Sequence, residues 1–400
     1  MDLLNEDCLY QIFQYLQLRD QVALLNASNS FVEVLSNIWR AKYKKLFLQL
    51  NSNVPLELKE KKFFLDNVHQ YVEQLRIESN SKNILEALHG IRFIRTHKLY
   101  VSIESSEMLG CEFVAKLHDI FPNIKDLQPV GKFSGAGFNL WNQLEQLTLC
   151  SCYSFRFEYL EQILRELPLH TLVLKSFQIH LPFSEESIPL NCMLRVLVLN
   201  SYELCYFTPR LENLRHLKEL HISDLYSTSN LNALHIKLVE LHNTHQIEAI
   251  STRDITAILP KVIDLGLHMH LKRLKLAFDP QAFSDMLLHI SLLTNLRVLH
   301  FHACYVRSEQ EFQKLFLVSA HLDEISLEDC FISFGSNPCL DVKEVIQNRT
   351  KPITFNFYEN KLGFSDAMAK VIIKGCSNLF KLECEQKTIN RCRYLVYEFS

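Results

Sequence analysis

The stretch from Leu296 to Cys304, reading Leu-Arg-Val-Leu-His-Phe-His-Ala-Cys, constrains this chain more than any other. Its apolar residues Leu296, Leu299 and Phe301 follow an L-x-x-L-x-L spacing. Residues two apart on a strand share a face, so Leu299 and Phe301 point inward and Val298, His300 and His302 point outward. One such strand has nothing to pack against. It becomes stable only if the unit recurs.

It does recur. Apolar residues fill the same three slots at Leu144/Leu147/Leu149, Leu169/Leu172/Leu174, Leu194/Leu197/Leu199 and Leu217/Leu220/Ile222. They return at Leu271/Leu274/Leu276 and Leu322/Ile325/Leu327, with weaker copies starting at Leu238, Pro352 and Leu379. Successive copies lie about 26 residues apart, inside the window of short solenoid repeats. Cys152, Cys304, Cys330 and Asn360 stand in the ninth slot. A small polar or thiol side chain there can turn inward and satisfy loop backbone groups. Helix-like segments separate the strands at Glu158 to Leu167, Ser284 to Leu293, Ser308 to Val318 and Ser365 to Lys374. Ser308 with Glu311 reads as a capping box. The competing architecture is a doubly wound α/β domain, whose strands also alternate with helices. Such a domain does not require Cys or Asn eight residues after the first Leu.

This array resembles the leucine-rich-repeat family and its cysteine-containing class. The resemblance implies an α/β solenoid with a curved parallel inner sheet and outer helices, each repeat stabilised by its neighbours. Early, degenerate strands are expected at Leu99 to Ile103 and Ile124 to Leu127, with a loop from Pro129 to Phe138.

The first 45 residues follow a different rule. Leu9, Ile12, Phe13 and Leu16 lie on one helical face, with Asn5 as N-cap and Glu6 and Asp7 at the positive end of the helix dipole. Asp20 caps a second helix carrying Val22 and Leu25. Ser30 with Glu33 starts a third, and Asn37 a fourth through Trp39, Tyr43 and Leu46. So few residues make a marginal core. Leu4-Asn5, Leu9, Ile12-Phe13, Leu16, Leu18, Asp20, Phe31 and Trp39 together resemble the F-box motif, with Asn5 where that family usually has Pro and Phe31 where many members carry Trp.

The expected organisation is an all-α F-box module over 1–45, a helical connector over 46–97 and a leucine-rich-repeat array over 98–400. An F-box ahead of such an array resembles the substrate receptors of cullin-based SCF ubiquitin ligases. It implies that Leu4, Leu9, Ile12, Phe13, Leu16, Leu18, Val22 and Leu25 dock a SKP-type adaptor, and through it a cullin. The repeats would then hold a protein target. The alternative is a leucine-rich scaffold whose N-terminal helices only cap the solenoid. Outward slots nominate Val196, Val198, His221, His242, Arg273, Lys275, His300 and His302 for target contact. Exposed strand positions accept His readily, so a metal site or pH-sensitive contact is the lesser reading of these imidazoles.

Other chemistry lacks its motifs. Gly131-Lys132 has no upstream Gly for a phosphate-binding loop, and G-x-S-x-G, H-E-x-x-H and C-x-x-C do not occur. The expectation is a non-catalytic subunit without cofactor. Net charge of −3 argues against a nucleic-acid surface. No apolar run approaches bilayer length. Met1-Asp2 opens with an acid rather than a basic leader, so the twelve cysteines are expected reduced, in cytoplasm or nucleus.

Overall fold

A computed structural model describes residues 5–49, 58–79, 85, 88–175, 192–200, 203, 207, 214–223, 249–252, 270–277, 283–306, 308, 310–311, 314–315, 321–332, 339–341, 353–358, 361–362, 370–374, 380–385 and 396–399. The chain divides into two compact units, Met1–Leu194 and Arg195–Ser400.

The first unit opens with three helices, α1 (Glu6–Phe13), α2 (Leu18–Ala27) and α3 (Val32–Lys42). Asn5 caps α1 as its sequence predicts, its side chain accepting from the Cys8 N–H at 2.9 Å. The start of α3 differs. A short 3-10 turn, Asn29–Phe31, precedes it, and no side chain caps it. The separate helix expected to start at Asn37 does not form. Asn37 and Trp39 belong to α3, and Leu46 enters strand β1 (Lys45–Gln49).

Gln21 ties the three helices together. Fully buried, it donates to the carbonyls of Phe13 at 2.8 Å and Leu16 at 3.2 Å, while its Oε1 accepts from Trp39 Nε1 at 2.7 Å. One amide thus joins the Leu16 N–H on the last carbonyl of α1, satisfies the Leu16 carbonyl in the turn that follows, and accepts from the buried indole of α3. Trp39 then meets Phe64 of helix α4 (Leu58–Val68) edge-on, with ring centroids 5.1 Å apart.

Five more strands follow in this unit: β2 (Gln74–Ser79), β3 (Lys98–Ile103), β4 (Asp126–Gly131), β5 (Gln146–Cys150) and β6 (Thr171–Lys175). All six pair in parallel in chain order. Leu46, Leu75, Leu99, Leu127, Leu147 and Leu172 are register partners from strand to strand. Each is buried, so one leucine ladder runs the width of the sheet. The sheet therefore begins well before the first clear repeat. Leu46 and Leu75, read as helical in the sequence, are strand residues because their side chains complete this ladder.

In the second unit, eight strands form a parallel sheet. They are β7 (Val196–Asn200), β8 (Glu219–Ser223), β9 (Ala249–Thr252), β10 (Arg273–Ala277), β11 (Val298–His302), β13 (Glu324–Glu328), β16 (Ile353–Tyr358) and β19 (Phe380–Glu385). Their register carries Leu197, Leu220, Ile250, Leu274, Leu299, Ile325, Phe355 and Leu382 across in one row. Seven of these strands start where the sequence spacing puts them. The copy expected at Leu238 lies outside the described residues, and the place between β8 and β10 is taken by β9. Its apolar slots are Ile247 and Ile250, a weaker pattern than the leucines nearby.

The connections are mixed. A helix, Phe283–Ser291, links β10 to β11. Ser308 Oγ accepts from the Glu311 N–H at 3.2 Å, as the capping box requires. Of the helix expected at Ser365 to Lys374, the described residues form strand β18 (Lys370–Lys374) instead, which pairs with β15 (Cys339–Asp341) and β20 (Val396–Phe399). Its Val371-Ile372-Ile373 run is β-branched and prefers that conformation. A second small sheet joins β12 (Tyr305–Val306), β14 (Phe331–Ile332) and β17 (Lys361–Leu362).

Candidate functional site

The first candidate lies on α1 and the turn after it. Phe13, Val22 and Leu25 are buried in the helical core, and Leu9 is nearly so. Phe13 packs edge-on against Phe31 at 5.2 Å. These four cannot also offer themselves to a partner. Ile12 is 49 % exposed, Tyr15 is 83 % exposed, and Leu16 and Leu18 are half-buried beside them. Leu4 lies outside the described residues. The motif positions therefore split in two. Leu9, Phe13, Val22 and Leu25 hold the helices together, and Ile12, Leu16 and Leu18, with Tyr15 added by the structure, form the outer surface.

The second candidate is the face of the second sheet opposite its buried leucines. Strand alternation places Val196, Val198, His221, Arg273, Lys275, His300 and His302 there, half-buried or exposed. His242 lies outside the described residues, and Ser251 of β9 holds the register position between His221 and Lys275.

These side chains gather around two carboxylates. Glu219 receives the Arg273 guanidinium, and its other oxygen lies 3.3 Å from His221 Nε2. Glu328 is shared more widely. Its Oε2 lies 2.8 Å from His300 Nε2, 3.4 Å from Lys275 Nζ and 3.4 Å from His302 Nδ1. The His302 contact is close but not aligned as a hydrogen bond, which leaves that buried nitrogen without one. Beside them Glu324 accepts from Ser326 Oγ at 3.1 Å and from Asn356 Nδ2 at 2.8 Å.

The electrostatics follow the burial. Burial lowers the His300 imidazole, the Lys275 charge adds to that, and Glu328 opposes both without reversing them. His221 is lowered by burial against the pull of Glu219. Burial pushes the Glu328 carboxyl up, but Lys275 and the two imidazoles outweigh it and hold it below the usual range. Near neutral pH this describes an ionised Glu328 facing a neutral His300 imidazole.

Sequence reasoning nominated the basic members of this group and passed over Glu219, Glu324 and Glu328. Their signal was present, since all three occupy outward slots of the same repeats. It also had no means of finding a cleft of about 910 Å³ beside the helix Cys111–Ile120, lined by Ile91, Met108 and Phe113 among others. Those residues fall outside the repeated slots.

The ninth-slot cysteines have a structural role. Cys152 Sγ donates to the Pro129 carbonyl at 3.2 Å, and Cys330 Sγ to that of Phe301 at 3.6 Å. Cys304 Sγ donates to the His302 carbonyl at 3.5 Å. Burial pushes the Cys152 thiol up to about 12, and contact with Cys304 together with burial pushes Cys330 up as well. Cys152 and Cys330 stay protonated donors rather than nucleophiles. Among the described residues no group of His, Cys, Asp and Glu is arranged to hold a metal ion, and no helix is long and apolar enough to cross a membrane.

No protein-family model matches the sequence, and no curated protein matches it. Among solved structures, one similar chain is a protein from Bacteroides fragilis. It shares 12 % identity over 77 % of this chain and 74 % of its own, with a TM-score of 0.33. At that level the likeness carries no argument about fold or function.

Proposed function

We propose that this chain is a substrate-recognition subunit of an SCF-type ubiquitin ligase. In this reading the N-terminal helices are an F-box that docks a SKP-type adaptor, and the strands behind them are leucine-rich repeats that bind a protein target. The observation that carries the proposal is the division of labour on α1. Phe13 closes a core with Val22 and Trp39, while Ile12 and Tyr15 stay uncovered next to it. An interface needs apolar or aromatic anchors of this kind. The mechanism is proximity: two weak attachments on one chain raise the effective concentration of target lysines near a ubiquitin-carrying enzyme. The chain itself supplies no chemistry.

A second reading is a leucine-rich scaffold whose N-terminal helices only seal the first strands. Trp39 and Tyr43, both packed on Phe64 of α4, favour it. A pull-down with the adaptor separates the two. Replacing Phe13 would confuse the result, because it would empty the helical core. Ile12→Asp removes the anchor and leaves the core intact. Capture by the wild type and loss in Ile12→Asp, with equal melting temperatures, supports the receptor. Capture by neither favours the scaffold.

A further inference from the structure

We propose that Lys275, His300 and His302, on the open face of the second sheet, form a binding site for an acidic peptide segment, with Glu328 as a built-in carboxylate that the ligand displaces. The inference deepens the receptor reading by naming the chemical class of its target.

Three donors from two adjacent strands converge on one oxygen, Glu328 Oε2. Glu328 comes from β13, and to meet Lys275 its side chain reaches past β11. That geometry describes a pocket built for a carboxylate and filled internally. The filling is incomplete, because His302 Nδ1 is buried yet makes no hydrogen bond. It is also accessible: the side chains of Lys275 and Glu328 are 39 % and 38 % exposed. A second carboxylate-held group, Arg273 and His221 on Glu219, lies on the same face. From β8 to β13 the face spans four strand spacings, about 19 Å, the length of about six extended residues rather than of one small ion. Half-buried Val196 and Val198 continue it on the β7 side with apolar surface.

Among the described residues from β8 to β13, the charges on this face lie on neighbouring strands. They are Glu219 and His221 on β8, Arg273 and Lys275 on β10, His300 and His302 on β11, and Glu324 and Glu328 on β13; the facing positions of β9 are Ala249 and Ser251. With neutral imidazoles the carboxylates outnumber the cations. Once His221 and His300 are protonated the balance reverses. An acidic segment therefore binds together with protons, and Glu328 is released as it arrives.

The test uses the full chain and a labelled hexaglutamate peptide, read by fluorescence anisotropy, with a hexaglutamine peptide as control. Hexaglutamate is expected to bind about tenfold more tightly near pH 6 than near pH 7.5, and more weakly as salt is added. Glu328→Gln should tighten binding near pH 7.5, a gain that a misfolded protein cannot produce. His221→Gln/His300→Gln should abolish the pH dependence. Equal binding of both peptides, or a Glu328→Gln variant that binds no better than wild type, overturns the proposal. No adaptor takes part, so this experiment and the pull-down can fail independently.

Discussion

Ser151, Ala303 and Asp329 hold φ values of 53°, 54° and 49°, a left-handed conformation that side chains rarely adopt. Each immediately precedes a ninth-slot cysteine, so the backbone turns left-handed at the eighth slot to swing the thiol inward. Gly131, φ 122°, occupies the same slot one repeat before Ser151. A non-glycine residue in this region is strained by about 1–2 kcal/mol. Ala303→Gly should therefore stabilise the second unit by about 1 kcal/mol, less the added freedom of the unfolded chain, measured by urea denaturation. Gly131→Ala should do the opposite. Its Cβ would lie 2.4 Å from the Ile103 carbonyl oxygen, a backbone atom that cannot step aside. A loss of about 2 kcal/mol or more is expected from overpacking at such a position. An Ala303→Gly variant less stable than wild type would show that the turn is not strained.

At the scale of strands and helices, burial sets the ranking. Leu299 is fully buried between Leu274 and Ile325, whereas Leu288 on the neighbouring helix is 69 % exposed. Thermal unfolding should register Leu299→Ala as a loss of about 2–5 kcal/mol and Leu288→Ala within about 0.5 kcal/mol. The same contrast explains what the sequence made legible. Strands such as β5 and β11 could be read directly, because leucines two apart mark a buried face whatever surrounds them. Strands β1 and β2 could not. Their apolar residues also fit a helix, and only pairing with β3 decides between the two. Strand β9 was missed because Ile247 and Ile250 sit beside stronger leucines. At the sites, residue type was legible and partnership was not: Phe13 and Ile12 are adjacent in the motif, yet only packing against Phe31 shows which one is core. The three histidines were visible as outward residues. Their carboxylates were equally visible as outward residues, but which cation each one holds required the strand register.

For the molecule as a whole, acid is the informative variable. His221 and His300 are both lowered in the folded state, so folding favours their neutral forms. Their contribution is complete above the ordinary imidazole range and declines as pH falls below about 6.5, where the unfolded chain takes up protons first. Glu328 acts in the same direction at lower pH, its carboxyl being held down in the fold. Melting temperature should therefore fall steadily from pH 7 toward pH 4, and His221→Gln/His300→Gln should flatten the upper part of that slope. A double variant with the wild-type profile would place the acid sensitivity elsewhere.

Titration calorimetry of the intact chain against the SKP-type adaptor tests the receptor claim most directly. A saturable heat is expected from the wild type. Ile12→Asp, which buries an unpaired charge at the interface, should weaken affinity by at least about tenfold while leaving the melting temperature unchanged. A wild-type chain that gives no heat with the adaptor at any concentration contradicts the account.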